Sequence, residues 1–176
     1  MTTATYDANT ETFIIDSNGI AGAKWWIGDL GVYANHAIVF ANLIINNKKH
    51  GIHAFLVPIR DENHKLYPGV EAGDVGPKYG YNNKDNGYAI FSQYRIPRMN
   101  MLMKYSKVDK NGEYSRRGNE KISYATMLII RSLIPAVVFY GFSKACTIIT
   151  RYSLVRTQFK DTNGKEIPIL NYQLQQ

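Results

Sequence analysis

Residues 121–152 read Lys121-Ile-Ser-Tyr-Ala-Thr-Met-Leu-Ile-Ile-Arg131-Ser-Leu-Ile-Pro135-Ala-Val-Val-Phe-Tyr-Gly-Phe-Ser-Lys144-Ala-Cys146-Thr-Ile-Ile-Thr-Arg151-Tyr152. Within this stretch Tyr124, Met127, Leu128, Ile134, Val138, Phe142, Ala145, Ile149 and Tyr152 recur mostly at three- and four-residue steps, the period of one long helix packed on at least one side. Pro135 lies inside the run and is expected to kink or break it, because its ring removes one backbone hydrogen bond. The helix should stop near Lys160, since Asp161-Thr-Asn-Gly164 has turn chemistry. Residues 168–176 look like the opening of a second helix, with Pro168 tolerated in its first turn. The chain ends inside that second helix, so it reads as incomplete at its C-terminus.

Upstream the period is different. Thr12-Phe-Ile-Ile-Asp16 leads into Ser17-Asn18-Gly19, where an Asn-Gly pair suits a tight turn, and Ala37-Ile-Val-Phe-Ala-Asn-Leu-Ile-Ile45 is rich in β-branched and apolar residues. Ile52-His-Ala-Phe-Leu-Val57 stops at Pro58, and Gly87-Tyr-Ala-Ile-Phe-Ser-Gln-Tyr94 stops before Ile96-Pro97. Strands at this spacing with no helical period between them indicate an antiparallel sandwich or barrel-like β domain. Residues 104–120 are polar and charged, and Asn111-Gly112 marks a hairpin or surface loop there. The fold class is therefore α+β.

The 176 residues are 45% hydrophobic and 12% aromatic, which supplies a packed core and excludes disorder as the default. The net charge of +7 is uneven. Residues 1–100 hold nine basic and nine acidic residues, whereas residues 101–176 hold twelve basic and five acidic, so an anionic ligand such as phosphate is to be sought near the second part. The single cysteine, Cys146, excludes an internal disulfide and favours a reducing compartment. The first residues lack the basic start and apolar core of a signal peptide. In the apolar stretch 127–149, Arg131 and Lys144 leave twelve uncharged residues between them, short of the roughly 20 that span a bilayer, so no transmembrane segment is expected.

Several candidate motifs carry ordinary readings. His50-Gly-Ile-His53 on a strand would point to opposite faces and has no third ligand at zinc spacing, so a strand-end histidine and a buried one is the better reading. Gly28-Asp29-Leu30-Gly31 looks like a piece of a phosphate loop without its last glycine or following helix. Cys146 on the apolar helix reads as a core thiol. Trp25 and Trp26 are different: adjacent on an extended segment they face opposite ways, so one can enter the core while the other meets a flat ligand or partner domain. Arg156 follows Arg131 by 25 residues, almost seven turns, which would place both on one helix face about 37 Å apart. A solvated helix face is the competing reading.

Longer blocks then line up in order. Lys24-Trp-Trp-Ile-Gly28, Asn35-His-Ala-Ile38, Gly51-Ile-His-Ala-Phe-Leu-Val-Pro-Ile-Arg60, Gly73-Asp-Val-Gly-Pro-Lys-Tyr-Gly80, Asp85-Asn-Gly-Tyr88 and Tyr94-Arg-Ile-Pro-Arg98 resemble the middle domain of peroxisomal acyl-CoA oxidases. The likeness continues through Asn100-Met-Leu-Met-Lys104, Ser143-Lys-Ala-Cys-Thr147 and Arg151-Tyr-Ser153, and so covers essentially the whole chain.

The resemblance implies residues 1–110 as a middle β domain, N-terminally incomplete, and residues 118–176 as the truncated start of a C-terminal helical-bundle domain. It implies an FAD enzyme that converts acyl-CoA and O2 to trans-2-enoyl-CoA and H2O2 in peroxisomal fatty-acid β-oxidation, as a homodimer when full-length. Gly28 matches the glycine whose backbone meets the flavin, and Trp26 the tryptophan beside the ring. Arg156 and Gln158 match an Arg-x-Gln-Phe element whose arginine contacts the FAD diphosphate of the neighbouring subunit. Arg131 falls where the wider superfamily often has an arginine near CoA, although the aspartate expected three residues earlier is Leu128 here. Ile27, Asp29 and Pro135 also depart from the family pattern.

The family's general-base carboxylate and peroxisomal tripeptide would lie beyond Gln176, and a further helical domain before Met1, so no catalytic residue is assigned and this piece alone is expected to be inactive. An acyl-CoA dehydrogenase is the alternative, disfavoured because those enzymes usually show Trp-Ile-Thr where this chain has Trp-Ile-Gly28. An inactive truncated oxidase is another. A nucleic-acid binder is disfavoured, since the basic residues are strung along a helix rather than interleaved with exposed aromatics. No metal site is expected.

Overall fold

Alternation of buried and exposed residues sets the strands of the first part. The computed structural model describes residues 1–118 and 122–175. Its first ten strands are β1 (Thr3–Asp7), β2 (Thr12–Asp16), β3 (Lys24–Gly28), β4 (His36–Ile45), β5 (Lys48–Pro58), β6 (Val70–Asp74), β7 (Asn86–Phe91), β8 (Tyr94–Pro97), β9 (Ser106–Val108) and β10 (Tyr114–Arg116). They form a five-stranded sheet of order β5-β4-β1-β2-β8, a three-stranded sheet of order β3-β7-β6, and the β9–β10 hairpin. Phe13, Ile15, Val39, Phe55 and Val57 of the larger sheet and Ala89, Phe91 and Val70 of the smaller one belong to one buried core, as two facing sheets require. The Phe13 ring lies 5.0 Å from the rings of both Tyr6 and Phe55 at its centre.

The wholly antiparallel arrangement needs one correction. β1 runs antiparallel to β2 but parallel to β4, with Thr3 opposite Asn42. The chain passes through β3, in the other sheet, between β2 and β4, and that crossover lets it re-enter the larger sheet in the direction of β1. The hairpin at Asn111-Gly112 does form, with Gly112 at φ 84° and its N–H donating to the Asp109 carbonyl at 3.2 Å.

The two histidines of β5 also depart from simple alternation. Asn42 pairs with Ile52 but Ile44 with Lys49, so β5 holds one extra residue there, and Gly51 takes φ 85°. The bulge cancels the alternation. His50 and His53 both approach Tyr114, at ring centroids of 4.3 and 5.6 Å. His53 Nδ1 lies 3.1 Å from the Gly51 carbonyl, so it carries the proton, and Nε2 accepts from the Tyr114 hydroxyl at 3.0 Å. Burial, with the charge of Arg116 and His50 added, pushes the His53 pKa down.

The chain divides into two compact units, Met1–Gly118 and Asn119–Gln176. In the second, α1 (Ile122–Val155) is followed by the hairpin strands β11 (Thr157–Lys160) and β12 (Glu166–Pro168). Three expectations change. Pro135 lies within a single α-helix rather than at a break; the N–H it lacks is the one that would have reached the Arg131 carbonyl. The helix ends at Val155 instead of near Lys160, because residues 157–160 are captured by pairing with β12. The Asp161 turn closes that hairpin, its carboxylate accepting from the N–H groups of Asn163 and Lys165. Residues 168–175 form two short 3-10 turns, Ile169–Asn171 and Gln173–Gln175, and no second α-helix.

The helix is apolar on all sides, and the side chains of Leu128, Val137, Phe142 and Ile149 are all exposed. The expected packing of one face is not seen among the described residues, where Ser153 is the buried position on the helix. Residues Met127–Val155 have a mean hydropathy of 1.6 and are, by length and composition alone, long and apolar enough to cross a membrane despite Arg131 and Lys144. Cys146 is exposed rather than a core thiol.

Candidate functional site

β3 is where the sequence breaks its own pattern. Lys24 pairs with Ala89 and Ile27 with Gly87, so Trp25 and Trp26 together face Tyr88, and β3 bulges by one residue. Trp26 sits at φ 64°, in the left-handed region that a bulky side chain enters only at a cost of about 1–2 kcal/mol. As a result neither indole enters the core: Trp25 is 63% and Trp26 55% exposed. The expectation that one would be buried fails because the bulge interrupts the alternation on which it rested. Trp25 is held by stacking on Tyr88.

The loop after β3 is fixed from beneath. The buried Arg60 guanidinium donates to the carbonyls of Leu30 at 3.1 Å, Gly31 at 2.8 Å and Ala34 at 2.6 Å. Asp85, also buried, accepts from the N–H groups of Val32 at 2.9 Å and Tyr33 at 3.1 Å. Burial works to raise the Asp85 pKa, but these N–H groups, that of Gly31 and the Arg60 charge outweigh it and hold the carboxyl below its usual value. The resemblance of Gly28-Asp29-Leu30-Gly31 to a phosphate loop ends here, since the adjoining amides already serve a carboxylate.

The two glycines of that loop have different reasons to be glycine. A Cβ on Gly31 would collide with the Asp85 carboxylate and the Asp74 backbone. At Gly28 the backbone is not left-handed, and a Cβ would meet only Lys84, with Cε at 3.7 Å and Nζ at 3.8 Å. Among the described residues nothing requires a glycine at position 28, and its lack of a side chain leaves the backbone open to approach from outside. Lys84 itself forms an exposed ion pair with Asp29.

Beside this strand lies a cleft of about 500 Å³ between β3 and β4. Its walls include Lys24, Trp25, Ile27, Gly28, Ile38 and Phe40, with Ala89 and Phe91 also lining it. Lys24 Nζ is 3.4 Å from the Phe40 carbonyl, and burial pushes its pKa down. Apolar side chains on both sides of β4 had signalled this surface: Ile38 and Phe40 alternate with buried Val39 and Ala41, yet both are half exposed.

The remaining predicted residues lie in the second unit. Arg131 is an exposed residue of α1. Arg156 lies just past the helix, its N–H donating to the Tyr152 carbonyl at 2.8 Å and its carbonyl accepting from Ile169 at 2.9 Å. It is therefore not on the helix face that carries Arg131. Gln158 is on β11, its carbonyl accepting from the Tyr172 hydroxyl at 2.8 Å. The side chains of Arg156 and Gln158 are exposed and make no hydrogen bond or ion pair among the described residues. The structure thus brings Trp26 and Gly28 together on one strand, and Arg156 and Gln158 together at the start of one hairpin. No group of three metal-ligating side chains occurs among the described residues.

Comparison with known proteins finds one family likeness along the chain. Residues 124–176 match the acyl-CoA oxidase C-alpha1 domain. The chain is 49% identical, over 99% of its length, to peroxisomal acyl-coenzyme A oxidase 1 of Cavia porcellus. It is similar to the structure of acyl-CoA oxidase 1 from Arabidopsis thaliana, with 42% identity, a TM-score of 0.89 and 98% of the chain covered. It also resembles acyl-CoA oxidase-1 of Caenorhabditis elegans in complex with FAD and ATP, with 42% identity and a TM-score of 0.84 over 99% of the chain. Along essentially its whole length the chain is similar to acyl-CoA oxidases.

It spans 27% of the length of the Cavia relative and 27% and 26% of the two solved chains. Within this segment the sequence pattern assigned no role to Lys24, Phe40, Arg60 or Asp85. All four were quoted only inside longer blocks. The last two carry no local pattern, because their partners are backbone groups 26 to 53 residues away.

Proposed function

We propose that this chain supplies the flavin-facing β layer and part of the FAD-diphosphate contact of a peroxisomal, homodimeric acyl-CoA oxidase. The observation that carries the reading is the edge of β3: two exposed indoles on a strained bulge, followed by a glycine that packing among the described residues does not require. A flat aromatic ring fits such an edge, since indoles offer a rigid stacking surface and Gly28 leaves the backbone open to approach. Gly28 and Trp26 would hold the ring. Arg156, exposed and unpaired among the described residues, would meet the diphosphate with a charge-assisted contact, Gln158 adding a donor beside it. Arg131 would face the CoA portion of the substrate.

The domain reading follows: residues 1–110 as the middle β domain and residues 118–176 as the start of the helical domain. A helix as apolar on every side as α1 needs neighbours, and further helices of a bundle are the chemistry that would cover it. When bound, FAD supplies a two-electron acceptor whose electrons pass on to dioxygen. In the balanced reaction acyl-CoA loses its α hydrogen as a proton and its β hydrogen as a hydride, and O2 gains both as H2O2. This chain's residues would bind and orient the ring and shield it from water, and the α proton is not assigned to any of them.

The test is the full-length polypeptide with a saturated acyl-CoA under air. Equal yields of enoyl-CoA and H2O2 are expected. Enoyl-CoA formed only with an added artificial electron acceptor, and no peroxide, would instead make it a dehydrogenase.

A further inference from the structure

Among the groups around the cleft, Lys24 has no evident employment. It is the first residue of β3 and its side chain is half-buried, yet no carboxylate faces it among the described residues. Its one acceptor is the Phe40 carbonyl at 3.4 Å, longer than the roughly 2.9–3.0 Å of an ordinary bond. A partly desolvated ammonium without a counter-charge is costly, and an apolar stem of the same length would line the cleft without that cost. Burial indeed pulls its pKa down. The groups near it, Trp25, Ile38, Phe40 and His36, bring no negative charge. An anionic ligand in the cleft would supply the missing counter-charge.

We propose that Lys24 is an electrostatic positioning residue of the flavin site, its ammonium favouring the negative charge a flavin ring carries once reduced. The proposal rests on the FAD reading above. That reading concerns where the ring binds; this one concerns how readily it accepts electrons. The geometry joins the two, because Lys24 shares the cleft with Trp25 and Gly28. A cation here favours the reduced over the oxidised ring through its charge, which acts across the cleft without direct contact.

The experiment uses the full-length polypeptide loaded with FAD, with Lys24→Gln and Lys24→Arg variants. Gln keeps a donor for the Phe40 carbonyl and loses the charge, whereas Arg keeps both. Sulfite is the probe, since it adds reversibly to oxidised flavin and leaves a negative charge on the ring. Lys24→Gln should raise the sulfite Kd about tenfold and lower the two-electron midpoint potential by about 30 mV, the tenfold equivalent. Lys24→Arg should stay within about twofold of the unaltered protein. Unchanged sulfite affinity and potential in Lys24→Gln would overturn the proposal. So would failure of Lys24→Gln to fold alongside a normal Lys24→Arg, which would make the charge a requirement of the fold. Unaltered polypeptide that takes up no FAD at all would overturn the underlying reading instead.

Discussion

Trp25 and Tyr88 stack with ring centroids 5.9 Å apart and planes 25° from parallel, at the one place where β3 carries a residue more than β7. The stack secures the bulge and throws the next residue, Trp26, into the left-handed region with its indole in solvent. Fold stability gains little from that arrangement. A strained conformation kept at a ligand edge is the usual place to find such a cost.

Trp26→Gly separates strain from function. Glycine enters φ 64° freely, which returns about 1–2 kcal/mol of strain, against about 0.5–1 kcal/mol of added chain entropy. Stability in thermal unfolding should therefore change by between about 0 and 1.5 kcal/mol, while the flavin-to-protein ratio of the full-length variant falls. A full complement of flavin in that variant would remove Trp26 from the site.

Gly28→Val tests the neighbouring backbone. Among the described residues only the flexible end of Lys84 stands near the new Cβ, so folding should be preserved. The flavin should be excluded by bulk alone, giving a colourless, folded protein. Yellow holoenzyme with normal circular dichroism would place the ring elsewhere.

Much of the β unit was legible because alternation and turn chemistry act locally. Thr12–Asp16 and the strand around Phe40 follow directly from their apolar pattern, and Asn111-Gly112 from its tolerance of positive φ. The bulges were not legible. At Gly51 and at Trp25-Trp26 a single extra residue reverses which side chains share a face, and that depends on register against a partner strand. The end of α1 was misplaced for a similar reason, since Thr157–Lys160 is a strand only because Glu166–Pro168 returns beside it.

The loop after β3 should be acid-sensitive through Asp85. Its folded pKa lies below the usual carboxylate value, so the unfolded chain binds this proton first as pH falls. The contribution is complete above the ordinary carboxylate range and is lost as pH drops through the depressed folded pKa. Asp85→Asn should unfold more easily at neutral pH, by about 2–4 kcal/mol, because Arg60 loses its counter-charge and the N–H groups of Val32 and Tyr33 exchange a carboxylate acceptor for a neutral amide oxygen. The gap between variant and parent should close in acid. Parallel stability curves for the two proteins from neutral pH into acid would refute this role.

Arg156→Ala concerns the second unit. The guanidinium has no partner among the described residues, so its removal should leave stability within about 0.5 kcal/mol. If it meets the FAD diphosphate, the lost charge-assisted bonds should weaken flavin retention by about 1.5–3 kcal/mol, roughly 10- to 150-fold in Kd. Retention in that variant should also become less sensitive to salt, because one screened ionic contact is gone. Equilibrium dialysis of the full-length protein at two salt concentrations reads both effects. Unchanged Kd and unchanged salt dependence would leave Arg156 a solvated residue at the end of a helix.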